Sequence, residues 1–335
     1  MKRILTSITF VLLVISSVIS ANTNDWFKKP GVHYHETPTP GKFLLQWMDQ
    51  QSLTKNTLIL LDLDDTVFST PADNWIRPNI YYNIRQEQAR KHPELTPAEA
   101  GYRANPLLFF AVLSLPYQLT DQQLPSAIET LKNRGFSVFG FTSRERSIIP
   151  ETLKTLQKLN IHFSQVPDYQ LDMGKNKHPL IMKDGIIFAG NANEKGAALT
   201  VLLDSGKLKK PDTIVFIDDR MNHLKTTTTA IVNRKKAITF FPVLCTYPEV
   251  AFKPYEAKPV ARALLGFLLD NIGKRKEAIT LLDSDAYTQE LVAEQCGKQP
   301  DKESLPLCKK LKTKYCNQLR KENSPVCKGI VITAR

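Results

Sequence analysis

The sequence predicts an α/β protein built on a doubly wound parallel sheet, with an inserted helical segment and a cysteine-rich helical tail. Four short apolar runs read as strands buried on both faces: Thr57 to Leu61, which is bounded by polar residues, Ser137 to Phe141, Thr213 to Ile217 and Ala237 to Phe241. Amphipathic stretches lie between and beside them, over Leu124 to Arg134, Ile148 to Leu159, Glu194 to Leu203 and Asn222 to Val232. Strands alternating with helices in this way form a parallel sheet with helical crossovers. Two longer stretches break the alternation and mark the additions to the sheet domain.

Taken in order, Met1-Lys2-Arg3 is cationic, Ile4 to Ile19 is apolar apart from Thr and Ser, and the small residues Ser20 and Ala21 close the run. This is the layout of a secretory signal peptide over residues 1–21. A membrane anchor is the alternative, but the run is short for a span and ends without a basic stop. Export to the periplasm or beyond is therefore expected, with no membrane anchor after cleavage. A short stretch with prolines, Pro30 to Gly41, leads into a helical segment, Lys42 to Leu53, and then the first strand. Residues 70–120 are polar, dotted with aromatics and prolines, and too long for a connecting loop. They read as an inserted cap of short helices. Gln165 to Gly190 contains Met182 to Phe188, where Asp184-Gly185 between apolar residues predicts a hairpin turn. Val260 to Leu282 reads as helix, so residues 22–280 form the main domain and 281–335 a basic, cysteine-rich tail.

The chain's 335 residues, 42% hydrophobic and 23% charged, are enough to bury a core and exclude disordered or fibrous classes. The net charge of +12 favours anionic partners or a solvated basic surface. Its excess sits in the tail, where Lys309, Lys310, Lys312, Lys314, Arg320 and Lys321 crowd together. Tyr315 alone interleaves them, which argues against a specific nucleic-acid surface. Four of the five cysteines, Cys296, Cys308, Cys316 and Cys327, fall in the last forty residues. Export permits disulfides. A helix over Leu305 to Leu319 would hold Cys308 and Cys316 about 12 Å apart at 1.5 Å per residue, too far to bond. The expected pairs are Cys296–Cys308 and Cys316–Cys327. Metal binding is the rival, without a C-x-x-C or Cys/His spacing to support it. Cys245, among apolar neighbours, reads as a buried thiol.

The chemistry gathers at the strand ends. Asp62-Leu63-Asp64-Asp65-Thr66 directly follows the first buried strand. In an open parallel sheet the ligand crevice lies at the carboxyl ends of the strands. Clustered carboxylates there repel unless a cation neutralises them, and such oxygen ligands suit Mg²⁺. Asp218-Asp219 follows the third strand and would complete a metal site with Asp62 and Asp64. Thr142-Ser143-Arg144 ends the second strand, where hydroxyls can hydrogen-bond a phosphate. Lys195 opens a helix within Asn193-Glu194-Lys195-Gly196 and could neutralise both a nucleophile and a phosphate. Taken singly, the Asp62–Thr66 run favours function because the apolar strand before it is so clean, whereas Asp218-Asp219 also suits a solvated turn, hydroxyls after strands are commonplace, and a lysine in a first helical turn is usually solvated.

Together, strand-Asp62-x-Asp64-x-Thr66, strand-Thr142, Lys195 and strand-Asp218-Asp219 resemble the four ordered motifs of the haloacid dehalogenase (HAD) superfamily, over roughly Thr57 to Phe241. The whole chain also resembles, more loosely, an uncharacterised family of exported bacterial HAD-like proteins. The resemblance implies Asp62 as a nucleophile forming an aspartyl-phosphate and Asp64 as general acid and base. It implies Thr142 and Ser143 as phosphate-binding hydroxyls and Lys195 as the third-motif lysine, ahead of Lys183 in the hairpin. It implies Mg²⁺ held by Asp62, Asp64 through its backbone carbonyl, Asp218 and Asp219. Residues 70–120 resemble a C1-type cap, with Trp75, Arg77, Tyr81, Tyr82 and Arg85 as its candidate substrate contacts or packing residues. The expected function is a Mg²⁺-dependent phosphatase acting on a small phosphorylated substrate. The alternative is an exported interaction protein on the same scaffold, binding through its basic tail.

Overall fold

The computed structural model describes residues 25–317 and Cys327, apart from residues 52, 72–79, 115, 176, 191–193, 235–236, 252–256, 272–275 and 298–299. The expected signal peptide, Trp75 and Arg77, the side chains of Tyr81, Tyr82, Arg85 and Lys312, Arg320 and Lys321, and the Cys316 half of the expected Cys316–Cys327 pair all lie outside the described residues. The protein is α/β with a mostly parallel central sheet. The chain divides into two compact units.

The first unit takes the described parts of Met1–Thr66, Gln122–Ser147 and Asn160–Cys245. Its strands are β1 (His35–Thr37), β2 (Thr57–Leu61), β5 (Ser137–Thr142), β6 (Tyr169–Leu171), β7 (Leu180–Lys183), β8 (Ile186–Phe188), β9 (Thr213–Asp218) and β10 (Thr239–Cys245). They form one eight-stranded sheet in the order β1-β10-β9-β2-β5-β8-β7-β6. Every pairing from β1 to β8 is parallel, and the β8-β7-β6 edge is antiparallel. All five residues of β2, Thr-Leu-Ile-Leu-Leu, are buried. Burying a Leu or Ile side chain is worth about 1.5–3 kcal/mol, so this run is held in the middle of the sheet and Asp62 falls at its end. Leu60, Phe139, Phe216 and Phe240 join Leu199, Leu202 and Leu224 of the helices in one core.

The chain leaves β2 for β5 and the strands beyond it, then returns to β9 and β10 on the other side of β2. The strand order therefore reverses at β2, and the carboxyl ends of β2, β5 and β9 meet where such sheets form their crevice. The Asp184-Gly185 hairpin joins β7 to β8, both residues at positive φ (50° and 75°). A Cβ on Gly185 would also lie 2.4 Å from the Ser164 carbonyl oxygen, which glycine alone avoids.

Two features depart from the sequence expectation. The fourth strand continues past Phe241 to Cys245 with Pro242 inside it. Phe240 exchanges backbone hydrogen bonds with Gly31 and His33 on the β1 side. Strand alternation points the Pro242 nitrogen to that same side, so the missing N–H costs nothing in the pairing with β9. The edge strand β1 falls in the stretch read only as proline-containing, and at three residues it has no periodicity to read.

The second unit takes the described parts of Val67–Asp121, Ile148–Leu159 and Thr246–Arg335. It is helical except for the antiparallel pair β3 (Phe68–Ser69) and β4 (Gln118–Leu119). Helix Ala257–Asn271 buries two faces. Leu264 and Leu268 pack with Ile84, Leu107 and Phe110 of the 70–120 segment, while Leu265 and Leu269 pack with Leu282, Val292, Leu311 and Tyr315. Helix Ser304–Leu311 is continued by a π-helix, Lys312–Asn317, where a single helix was expected. The Tyr315 hydroxyl, on that π-turn, donates to Asp283. A disulfide joins Cys296, the last residue of helix Ala286–Cys296, to Cys308 with Cα atoms 5.4 Å apart, the pairing expected from the sequence. Among the described residues no helix is long and apolar enough to cross a membrane.

Candidate functional site

Asp62 and Asp218 are placed by register. Leu61 of β2 pairs with Ile217 of β9, so the next residue of each strand carries a carboxylate at the same level. The Asp62 N–H donates to the Ile217 carbonyl at 2.9 Å and ties the two ends together. Asp65 follows in the left-handed region at φ 60°, a conformation aspartate tolerates better than most side chains. Its carbonyl accepts the buried Cys245 thiol at 3.6 Å, a contact that pins the Asp62–Asp65 turn against the end of β10.

Lys195 starts helix Lys195–Asp204, and its side chain is completely buried. Its Nζ donates to Asp62 Oδ1 at 2.5 Å and to Asp218 Oδ2 at 2.7 Å. The rings of Phe141 and Phe216 lie with centroids 5.4 and 5.3 Å from the same Nζ, close enough for cation–π attraction. The next residue, Gly196, makes this placement possible. A Cβ there would sit 2.3 Å from the Thr226 carbonyl oxygen, so only glycine lets this helix approach helix Met221–Val232. Burial works against the lysine's charge, but Asp218 and Asp62 outweigh it and hold its pKa above the ordinary range.

The carboxylates differ sharply. Burial pushes the Asp62 carboxyl up to about 6, with Lys195 pulling the other way. Burial also acts on Asp218, but Lys195 and His223 overcome it and lower this carboxyl to about 2. Asp218 accepts Lys195, the Arg220 backbone N–H at 2.7 Å, and faces His223 Nδ1 at 3.0 Å. Asp219 is pushed well above its ordinary value by burial and by the neighbouring Asp218, Asp62 and Asp65.

One oxygen from each of Asp62, Asp218 and Asp219 lies within 4.8 Å of the others. Lys195 bonds Asp62 and Asp218, while burial first, and the neighbouring carboxylates second, raise the Asp219 carboxyl. A convergent set of carboxylate oxygens is the donor type that a hard divalent cation takes.

Thr142 is the last residue of β5, buried beside β2, and its hydroxyl accepts the Arg144 backbone N–H at 3.1 Å. Ser143 is half-buried next to it. Arg144 reaches Asp64 in a two-pronged contact, Nε to Oδ2 at 2.8 Å and Nη2 to Oδ1 at 2.7 Å. The arginine side chain is 6% exposed and that of Asp64 is 46% exposed. Burial raises the Asp64 carboxyl, but Arg144 outweighs it and the net direction is down.

The structure thus brings Asp62, Lys195, Asp218 and Asp219 together, with Thr142 at the adjoining strand end. Lys183 is elsewhere, on β7, paired with Asp168. Sequence reasoning missed His223 and the hold of Arg144 on Asp64. His223 had a readable signal: it lies five residues after Asp218, in the first turn of the helix leaving that strand. The Arg144 contact had none, because it joins positions eighty residues apart.

Neither a curated protein nor a solved structure shows significant similarity to the chain. Residues 45–255, more than half of the chain and including every residue of the carboxylate–lysine cluster, match one protein family. By that match the chain belongs to the family described as "Protein of unknown function (DUF2608)".

Proposed function

We propose that the chain is an exported, Mg²⁺-dependent phosphatase of the HAD superfamily that hydrolyses a small phosphomonoester through Asp62. The observation that carries this reading is the buried Lys195 shared between Asp62 and Asp218 at adjacent strand ends, with Asp219 beside them. The parallel sheet and its switch point at β2 support it, and the disulfide is compatible with export.

Asp62 attacks phosphorus while Lys195 holds its other oxygen, so an aspartyl-phosphate forms as the ester P–O bond breaks. The leaving oxygen takes a proton from Asp64. Asp64 then removes a proton from the water that attacks phosphorus, which frees Asp62 and releases phosphate. Thr142 and Ser143 offer hydroxyls to the phosphoryl oxygens. A bound Mg²⁺ would be held by Asp62, Asp218, Asp219 and the Asp64 carbonyl, and would supply charge neutralisation to the phosphoryl group. Asp64 cannot carry a proton while both its oxygens accept from Arg144. A substrate phosphate dianion is itself a good guanidinium partner, and its arrival would draw Arg144 off and free Asp64 to act.

The test is hydrolysis of an aryl phosphate and of a panel of phosphorylated metabolites, by protein made under oxidising conditions from Asn22 onward. Turnover is expected with Mg²⁺, and loss of it with EDTA or Asp62→Asn. Folded protein inert towards the whole panel would sink the phosphatase reading and leave the interaction protein with its basic tail.

A further inference from the structure

The chemistry proposed above makes no use of His223, although its ring touches Asp218 twice. His223 Nδ1 lies 3.1 Å from Asp218 Oδ1 and 3.0 Å from Asp218 Oδ2. A nitrogen so nearly equidistant from both oxygens sits in the fork of the carboxylate, not beside one arm of it. The two arms have other partners: the Arg220 backbone N–H on Oδ1 at 2.7 Å and Lys195 Nζ on Oδ2 at 2.7 Å. Only a protonated Nδ1 is attracted to a carboxylate, and the neutral Nδ1–H tautomer and the imidazolium both carry that proton. The contact therefore holds whichever charge the ring has.

The backbone under the ring is fixed from both sides. The His223 N–H donates to the Arg220 carbonyl at 3.0 Å. The His223 carbonyl accepts the Thr227 hydroxyl at 2.7 Å and the Thr226 hydroxyl at 3.1 Å. Thr226 is also the residue whose carbonyl Gly196 approaches, so the turn that carries His223 is packed against the start of the Lys195 helix.

The fork of a carboxylate is also where a cation sits when it takes both oxygens. Ca²⁺ uses this two-oxygen mode readily, with about six to eight oxygen ligands in a flexible geometry. Mg²⁺ demands a near-ideal octahedron, and the narrow bite of one carboxylate cannot span two of its corners. We infer that His223, by filling the fork of Asp218, sets the ion preference of the site and favours Mg²⁺ over Ca²⁺. It is a positioning residue that acts through Asp218, leaving that carboxylate to be approached through one oxygen only. The inference rests on the reading of Asp62, Asp218 and Asp219 as a cation site, and adds the residue that chooses the ion.

The test is calorimetric titration of the protein made from Asn22 onward, with Mg²⁺ and separately with Ca²⁺, which needs no turnover. The parent is expected to bind Mg²⁺ at least as tightly as Ca²⁺, and to lose both in Asp218→Asn. His223→Ala opens the fork and is expected to shift the ratio of the two affinities towards Ca²⁺ by at least about tenfold, the scale on which partners of metal ligands act. His223→Asn places its Nδ2 where Nδ1 stood and is expected to keep the parent's ratio, a rescue that a purely structural role would not show. A parent that prefers Ca²⁺, an unchanged ratio in a folded His223→Ala protein, or an equal shift in His223→Asn would each overturn this inference and leave the cation site standing. A parent that takes up neither ion, or whose uptake survives Asp218→Asn, would overturn the cation site and this inference with it.

Discussion

Replacing Asp62 by asparagine is expected to stabilise the protein at neutral pH. Its carboxyl moves from 3.8 to about 6 on folding because burial penalises the charged form more than Lys195 relieves it. At 1.36 kcal/mol per pH unit, a rise of roughly two units costs about 3 kcal/mol once the group is ionised. The folded value lies above the unfolded one. The benefit of the protonated form is therefore fully present below pH 3.8 and lost as pH rises through about 6. Asparagine has the same shape, can still accept from Lys195 and carries no charge. Asp62→Asn should therefore be more stable than the parent by about 1–3 kcal/mol at pH 7.5, and the two should converge near pH 4. Urea titrations of both proteins at pH 4, 5, 6, 7 and 7.5 measure this difference directly. A variant less stable than the parent at pH 7.5, or a gain that does not change with pH, would refute the picture of Asp62 as a penalised buried carboxylate. A stabilising substitution at a chemically central residue is also what a site built for reactivity rather than stability shows.

Gly196→Ala should destabilise by about 1–3 kcal/mol, since its Cβ meets backbone only 2.3 Å away; circular dichroism melts test this, and a neutral effect would mean that the two helices are not in close contact. Reducing the Cys296–Cys308 bond, which closes a separation of 12 residues, should cost about 3 kcal/mol; denaturation of a Cys296→Ala/Cys308→Ala variant beside the oxidised parent reads it. Arg144→Gln removes the cation that lowers the Asp64 carboxyl. Half of that aspartate's side chain is solvated, so the loss should be about 1 kcal/mol at pH 7. The stability this pair contributes is present above pH 3.8 and lost as pH falls through the lower folded value, so the gap between variant and parent should close below about pH 4. A gap that stays constant with pH would show that the guanidinium acts through packing alone.

Much of the sheet and of its acidic end was legible in the sequence. A strand buried on both faces has to be continuously apolar, so the runs Thr57 to Leu61 and Thr213 to Ile217 announced themselves, and a carboxylate that directly follows such a run can only sit at the strand's end. The Asp184-Gly185 turn and the Cys296–Cys308 bond were legible for a similar reason, because their chemistry is local in the chain. What the tertiary structure decided is adjacency. That β2 lies between β9 and β5, that Lys195 ends between two carboxylates while Lys183 serves Asp168, and that Arg144 grips Asp64 all depend on long-range pairing. So does the shared core of Ile84, Leu107 and Phe110 with Leu264 and Leu268, segments that are far apart in the chain. A sequence states how each residue prefers to be surrounded. Which residues come to surround it is settled only when the buried surfaces of distant segments find the packing that excludes water from all of them together.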